Sequence, residues 1–170
     1  YYRMNSINTG FGYQWKKKQK IAHDLMLLRV NIVSLLETTL EFDSIVQSNP
    51  YVKKSFEEQT IIGPKYHFTY DNSTRNRNGI YFNGEISTSG NFIDLIKKFG
   101  SKERPYTIFG EVYSQFIKTS VDFRYYTNTT KKGWIARFYA GTGYSFGNSS
   151  VMPYVEQYFS GGSNSLRGFT

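Results

Sequence analysis

The chain holds few side chains able to do covalent or metal chemistry. His23 and His67 are its only imidazoles, and it has no cysteine. Zinc needs three or four ligands, usually at short spacings, and two histidines far apart in sequence do not supply that pattern. No nucleophile elbow and no phosphate-binding Walker loop occurs. No catalytic, cofactor-binding or metal-binding residue is therefore assigned, and the chain does not read as an enzyme. The densest grouping lies at the C-terminal end: Met152-Pro153-Tyr154-Val155-Glu156-Gln157-Tyr158-Phe159, then Ser160-Gly161-Gly162-Ser163-Asn164-Ser165, then Leu166-Arg167-Gly168-Phe169. Its chemistry is recognition, since a guanidinium is a planar fork of N–H donors that suits a carboxylate. The bland alternative is a surface turn with an exposed arginine.

The elements that must position this grouping alternate with period two almost throughout the chain. In the stretch ending before it, Trp134, Ala136, Phe138, Ala140, Thr142, Tyr144 and Phe146 share one face, against Ile135, Arg137, Tyr139, Gly141, Gly143 and Ser145. Aromatic residues mark both ends of the first face and small residues fill its middle, the pattern of an apolar band between two aromatic girdles. Five further segments repeat it. Their apolar faces are Ile7 to Trp15, Met26 to Ile32, Ile62 to Tyr70, Ile80 to Phe92 and Ile117 to Tyr125, taking alternate residues. The opposite faces carry the charges, among them Lys16, Arg29, Lys65, Glu85, Lys118, Asp122, Arg124 and Arg137. The second segment is the least regular, with Leu27 among the polar set.

Composition agrees. The chain has 170 residues, 15 of them Tyr and 14 Phe, yet its mean hydropathy is negative at −0.51. A soluble core rarely combines so many aromatics with a polar average, whereas a barrel in lipid shows one face of each strand to lipid and the other to water. No apolar run is long enough for a transmembrane helix. The reading is an all-β fold: a transmembrane antiparallel β-barrel domain over 1–170, of which about six strands are present. The chain opens at Tyr1-Tyr2-Arg3 as though in mid-strand, and so reads as a piece of a longer protein.

Short connections at 17–21, 72–78 and 128–133 alternate with long ones at about 35–60 and 94–111. Short turns belong on the periplasmic side of such barrels and long loops outside. The net charge of +8 gathers in the short turns, at Lys16-Lys17-Lys18 with Lys20, at Arg75 with Arg77, and at Lys131-Lys132. No basic recognition helix accompanies it, so nucleic acid is not an expected partner; outer-membrane lipid is, through anionic headgroups. The first long loop, about 36–60, predicts two helices. Thr38 with Glu41 forms a capping box, and Asn49-Pro50 starts the second helix.

The string from Met152 to Phe169 resembles the signature of the BamA/TamA superfamily of outer-membrane assembly barrels, the surface-antigen type. In that signature an aromatic lead-in and a Gly-Gly-Ser turn precede Val/Leu-Arg-Gly-Phe/Tyr. The resemblance implies a sixteen-stranded barrel whose sixth outer loop, here 147–170, folds into the lumen. It makes these the sixth to eleventh strands, with the periplasmic POTRA domains and the last five strands outside the sequence. It also implies that Leu166, Arg167, Gly168 and Phe169 form the lumen-inserted motif, with Arg167 paired to an acid on later strands. The helical loop is similar to that of TamA-like members of the Bacteroidota branch. The implied function is insertion or export of client β-barrel proteins in the bacterial outer membrane, with periplasmic or lipoprotein partners. A passive pore is the alternative. A barrel-borne phospholipase would need a Ser/His pair on the lipid face, where neither histidine is expected.

Overall fold

The computed structural model describes residues 2–73, 78–98, 105–108, 110–128 and 133–158. In chain order its strands are β1 (Tyr2–Lys17), β2 (Ile21–Thr38), β3 (Gln59–Asp71), β4 (Gly79–Ser89), the short β5 (Thr107–Ile108) and β6 (Glu111–Val112), β7 (Phe116–Asn128) and β8 (Gly133–Ser145). The six long strands form one antiparallel sheet in the order β1-β2-β3-β4-β7-β8. They run from 11 to 18 residues, well beyond the roughly 5–6 common in globular sheets and long enough to cross a hydrocarbon layer at a tilt.

Register carries the alternation across the whole sheet. One row reads Ile21, Tyr70, Phe82, Phe123, Phe138. The neighbouring row, one residue along each strand, reads Ala22, Thr69, Asn83, Asp122, Tyr139. Side chains one step apart point to opposite faces, so the sheet has an aromatic face and a charged face. The aromatic face is bare: Phe11, Trp134, Phe138 and Tyr144 are all more than 60% exposed.

β2 departs from the predicted phase. Met26 pairs with Gly12 and Lys65, while Arg29 pairs with Gly10 and Gly63, so β2 holds one residue more than its neighbours between them. Such a bulge flips the phase of the residues beyond it, here as far as a second shift between Leu35 and Glu37. Below it the outward residues are Ile21, His23 and Leu25; above it they are Leu28, Val30 and Ile32. Met26, expected outward, lies on the charged face. Leu27, expected inward, is half exposed within the bulge. His23 is also corrected. It sits on the aromatic face, stacked on Trp15 at 4.7 Å and edge-on to Phe68 at 5.3 Å, with Nδ1 2.7 Å from the Tyr66 hydroxyl.

The first long loop folds as α1 (Leu40–Ser48) and α2 (Pro50–Phe56). Asn49 caps α2 as expected, its Oδ1 accepting from the Tyr51 and Val52 amides. The α1 cap is Thr39, which accepts from Phe42 N, and not Thr38; Thr38 is still the last residue of β2, paired with Tyr2. The second long loop holds a helix that alternation hid, α3 (Asn91–Lys98). Gly90, at φ +73, ends the run that was predicted to continue to Phe92.

The apolar core is small and lies on the charged face, at the long-loop end. Val33, Ile61, Phe116 and Met152 form it, with Met4 packed alongside. Three of these residues come from strands and one from the segment after β8, so the core joins that segment to the sheet.

Candidate functional site

Beyond β8 the chain turns back over the charged face. Gly147, at φ +64, makes the turn, and Phe146 N donates to Gln115 O at 3.1 Å. Asn148 then ties the segment to the second long loop. Its Nδ2 donates to the Tyr106 and Tyr113 carbonyls, both at 2.9 Å, and its Oδ1 accepts from Tyr106 N at 2.7 Å. Val151 and Met152 are buried. Pro153, fixed in φ, leads into the single turn Tyr154–Glu156.

That turn delivers Glu156 to the charged face near its long-loop end, beside Arg29 and Lys118. Its side chain is 10% exposed. One carboxylate oxygen accepts from Arg29 Nη1 at 2.8 Å, and the other faces Lys118 Nζ at 3.2 Å. Arg29 also donates to Ser87 Oγ at 3.1 Å. Lys118 sits over the Tyr158 ring at 4.6 Å, and the Tyr158 hydroxyl donates to the Thr119 carbonyl at 2.9 Å. The cluster therefore clamps β2, β4 and β7 to one returning turn. A buried charge persists only when paired and hydrogen-bonded, and here one carboxylate answers two cations.

Glycines in β8 make room for the segment. A Cβ on Gly141 would come within 2.8 Å of the Tyr158 ring, and one on Gly143 would collide with Met152 Cε. Gly141→Val suits a strand by itself, yet should displace the segment at a cost of about 1–3 kcal/mol for overpacking. Hydrogen exchange checks this: amides of 146–158 should exchange faster while those of β7 and β8 keep their protection.

The helical loop rests on the same segment. Phe56 stacks on Tyr154 with ring centroids 4.1 Å apart, Phe42 meets Phe56 edge-on at 5.1 Å, and Lys54 Nζ donates to Ser150 Oγ at 3.2 Å. Two further acids of this face are paired in the sheet. Asp122 bridges Arg124 and Arg137 at 2.7 and 2.8 Å, and Glu85 bridges Lys65 and His67 at 3.1 and 2.9 Å.

Leu166, Arg167, Gly168 and Phe169 lie outside the described residues. Sequence reasoning did not find the Arg29–Glu156–Lys118 cluster, although a signal was there. Across the sheet Arg29 is flanked by Gly10 and Gly63, and Lys118 by Ser87 and Gly143, so neither has a cross-strand acid. Glu156 is the only acid in 147–170. Two unmatched cations on an inner face and one acid in a nearby loop are complementary.

The family model of the Omp85 superfamily domain matches residues 2–170. No curated protein and no solved structure matches the chain.

Proposed function

The chain belongs to the Omp85 superfamily, and from that premise we propose that it forms part of a BamA/TamA-type barrel that inserts or exports client β-barrel proteins at the bacterial outer membrane. Superfamily membership supports outer-membrane protein assembly or translocation in general. The observation that carries the finer reading is the returning segment. Residues 146–158 pack on the long-loop part of the charged face, which this reading turns to the lumen, and are held there in part by buried ionic contacts. In a pore such a segment would only narrow the channel and tune its selectivity, whereas a barrel that handles unpaired strand edges must stay sealed while it does so. The two-helix cap on that segment favours a TamA-like member. Client barrels, outer-membrane lipid and periplasmic or lipoprotein factors are the proposed partners.

Reconstitution of the full-length protein in lipid vesicles tests this. An unfolded outer-membrane barrel added to them should fold faster than with protein-free vesicles, without a large rise in ion leakage. Leakage without faster folding would favour the pore.

The short basic turns are assigned to the periplasmic side, near anionic headgroups, and the helical loop to the outside. A cysteine at Ser48 should react with an impermeant maleimide on intact cells, and one at Lys20 should not. The reverse result would invert the strand directions. For the motif, Arg167→Ala should lower heat-modifiable gel mobility or client porin level, and Arg167→Lys should restore only part, since an ammonium lacks the planar fork. Wild-type behaviour of Arg167→Ala in both assays would reduce the motif to a surface turn.

A further inference from the structure

Helix α3 is built inside out for a helix in water. Asn91 and Asp94 turn toward the protein: the Asn91 Oδ1 accepts from Gln115 Nε2 at 3.3 Å, and Asp94 Oδ1 accepts from the Tyr113 hydroxyl at 3.4 Å. Tyr113 and Gln115 are themselves buried. Three of its four apolar side chains turn away: Phe92 is 73% exposed, Leu95 56% and Ile96 57%. At 100° per residue these three share one continuous face, and Lys97-Lys98 close the helix in sequence.

The helix is also fixed in place. Gly90 N donates to Ile62 O and Asp94 N to Gly90 O, both at 2.8 Å. A Cβ on Gly90 would come within 2.6 Å of the Ser114 carbonyl oxygen. The exposed apolar face is therefore held outward by the fold and cannot roll inward without breaking the contacts to Tyr113 and Gln115.

Polar inward and apolar outward is the same inversion that the sheet shows. α3 follows β4 after a single residue, and β4 carries Ile80, Phe82 and Ile86 on the aromatic face that the outer-membrane reading assigns to lipid. We propose that α3 is an interfacial helix lying in the lipid at the long-loop end of the barrel, where it extends the lipid contact of β4 sideways. Phe92, Leu95 and Ile96 enter the acyl boundary. This inference rests on the outer-membrane reading of the sheet and adds to it a membrane-docking element that lies outside the strands.

Nitroxide labels on single cysteines of the full-length protein in lipid vesicles separate the outcomes. Phe138→Cys, on the aromatic face of β8, is the lipid reference; Ser44→Cys, on α1, is the water reference. Labels at Phe92→Cys and Ile96→Cys should show the high oxygen and low nickel-chelate collision of Phe138. Chelate collision matching Ser44 would place the helix in water and overturn the proposal. Shielding from both reagents would mean that a protein covers this face, and would equally overturn it. If Phe138 itself reports water, it is the outer-membrane reading that fails.

Discussion

Glu156→Ala should free residues 146–158 from the sheet and lower the stability of the barrel more than any other single change on the charged face. The substitution leaves Arg29 and Lys118, each with a side chain 13% exposed, facing each other without an acid. Removing one partner of a buried ion pair costs roughly 3–5 kcal/mol in a dry site, and the low end of that range fits a water-accessible lumen. Met152 and Tyr158 would lose their seats on Gly143 and Gly141 with it. Urea unfolding of the full-length barrel and protease cleavage within 146–158 measure the two effects. A triple change, Glu156→Gln with Arg29→Gln and Lys118→Gln, should recover much of the loss, because neutral amides can hydrogen-bond without an uncompensated charge. If Glu156→Ala leaves both readouts unchanged, the segment is held by its apolar contacts and the Asn148 hydrogen bonds without help from the ionic cluster.

Phe138→Arg is the second large expected effect. Phe138 lies opposite Phe123 and is 62% exposed on the aromatic face. A guanidinium near the bilayer midplane on the lipid side of a barrel costs about 2–4 kcal/mol. Tyr139→Arg, one residue along on the charged face beside Asp122, should be far milder. Heat-modifiable mobility and the yield of membrane-inserted protein distinguish them. Equal damage from both would mean that the aromatic face is buried against protein.

The alternation behind that prediction was legible because five of the six long strands keep one phase from end to end, so side-chain type alone assigns each face. β2 was not legible in the same way. A single extra residue among Met26, Leu27 and Leu28 leaves every residue type plausible in strand, and only pairing with Gly12 and Lys65 on one side and Gly10 and Gly63 on the other fixes where the phase turns. The misplacement of His23 follows from the same residue. The α2 cap was legible because Asn49-Pro50 is a local signal; at α1 two adjacent threonines competed, and pairing of Thr38 with Tyr2 decided for Thr39. α3 was hidden because Ile86, Thr88, Gly90 and Phe92 continue a period of two across a glycine that in fact turns the chain. The ionic cluster joins positions 127 residues apart in sequence, and no local pattern records such a contact.

That same separation sets an order of assembly. Apart from the step across α3 and the β5–β6 hairpin, each long strand pairs with its neighbour in sequence, so the sheet can grow by successive short-range closures. Closing a longer loop costs more chain entropy before any contact rewards it. The Arg29–Glu156–Lys118 contact needs β2, β7 and the turn after β8 together, and so it can form only once the five long strands from β2 to β8 are in register. Two cations stay unneutralised on the lumen wall until that moment. The docked segment thus reports that these strands have paired correctly: a sheet that stalls at β4 or slips in register has nowhere to seat Glu156.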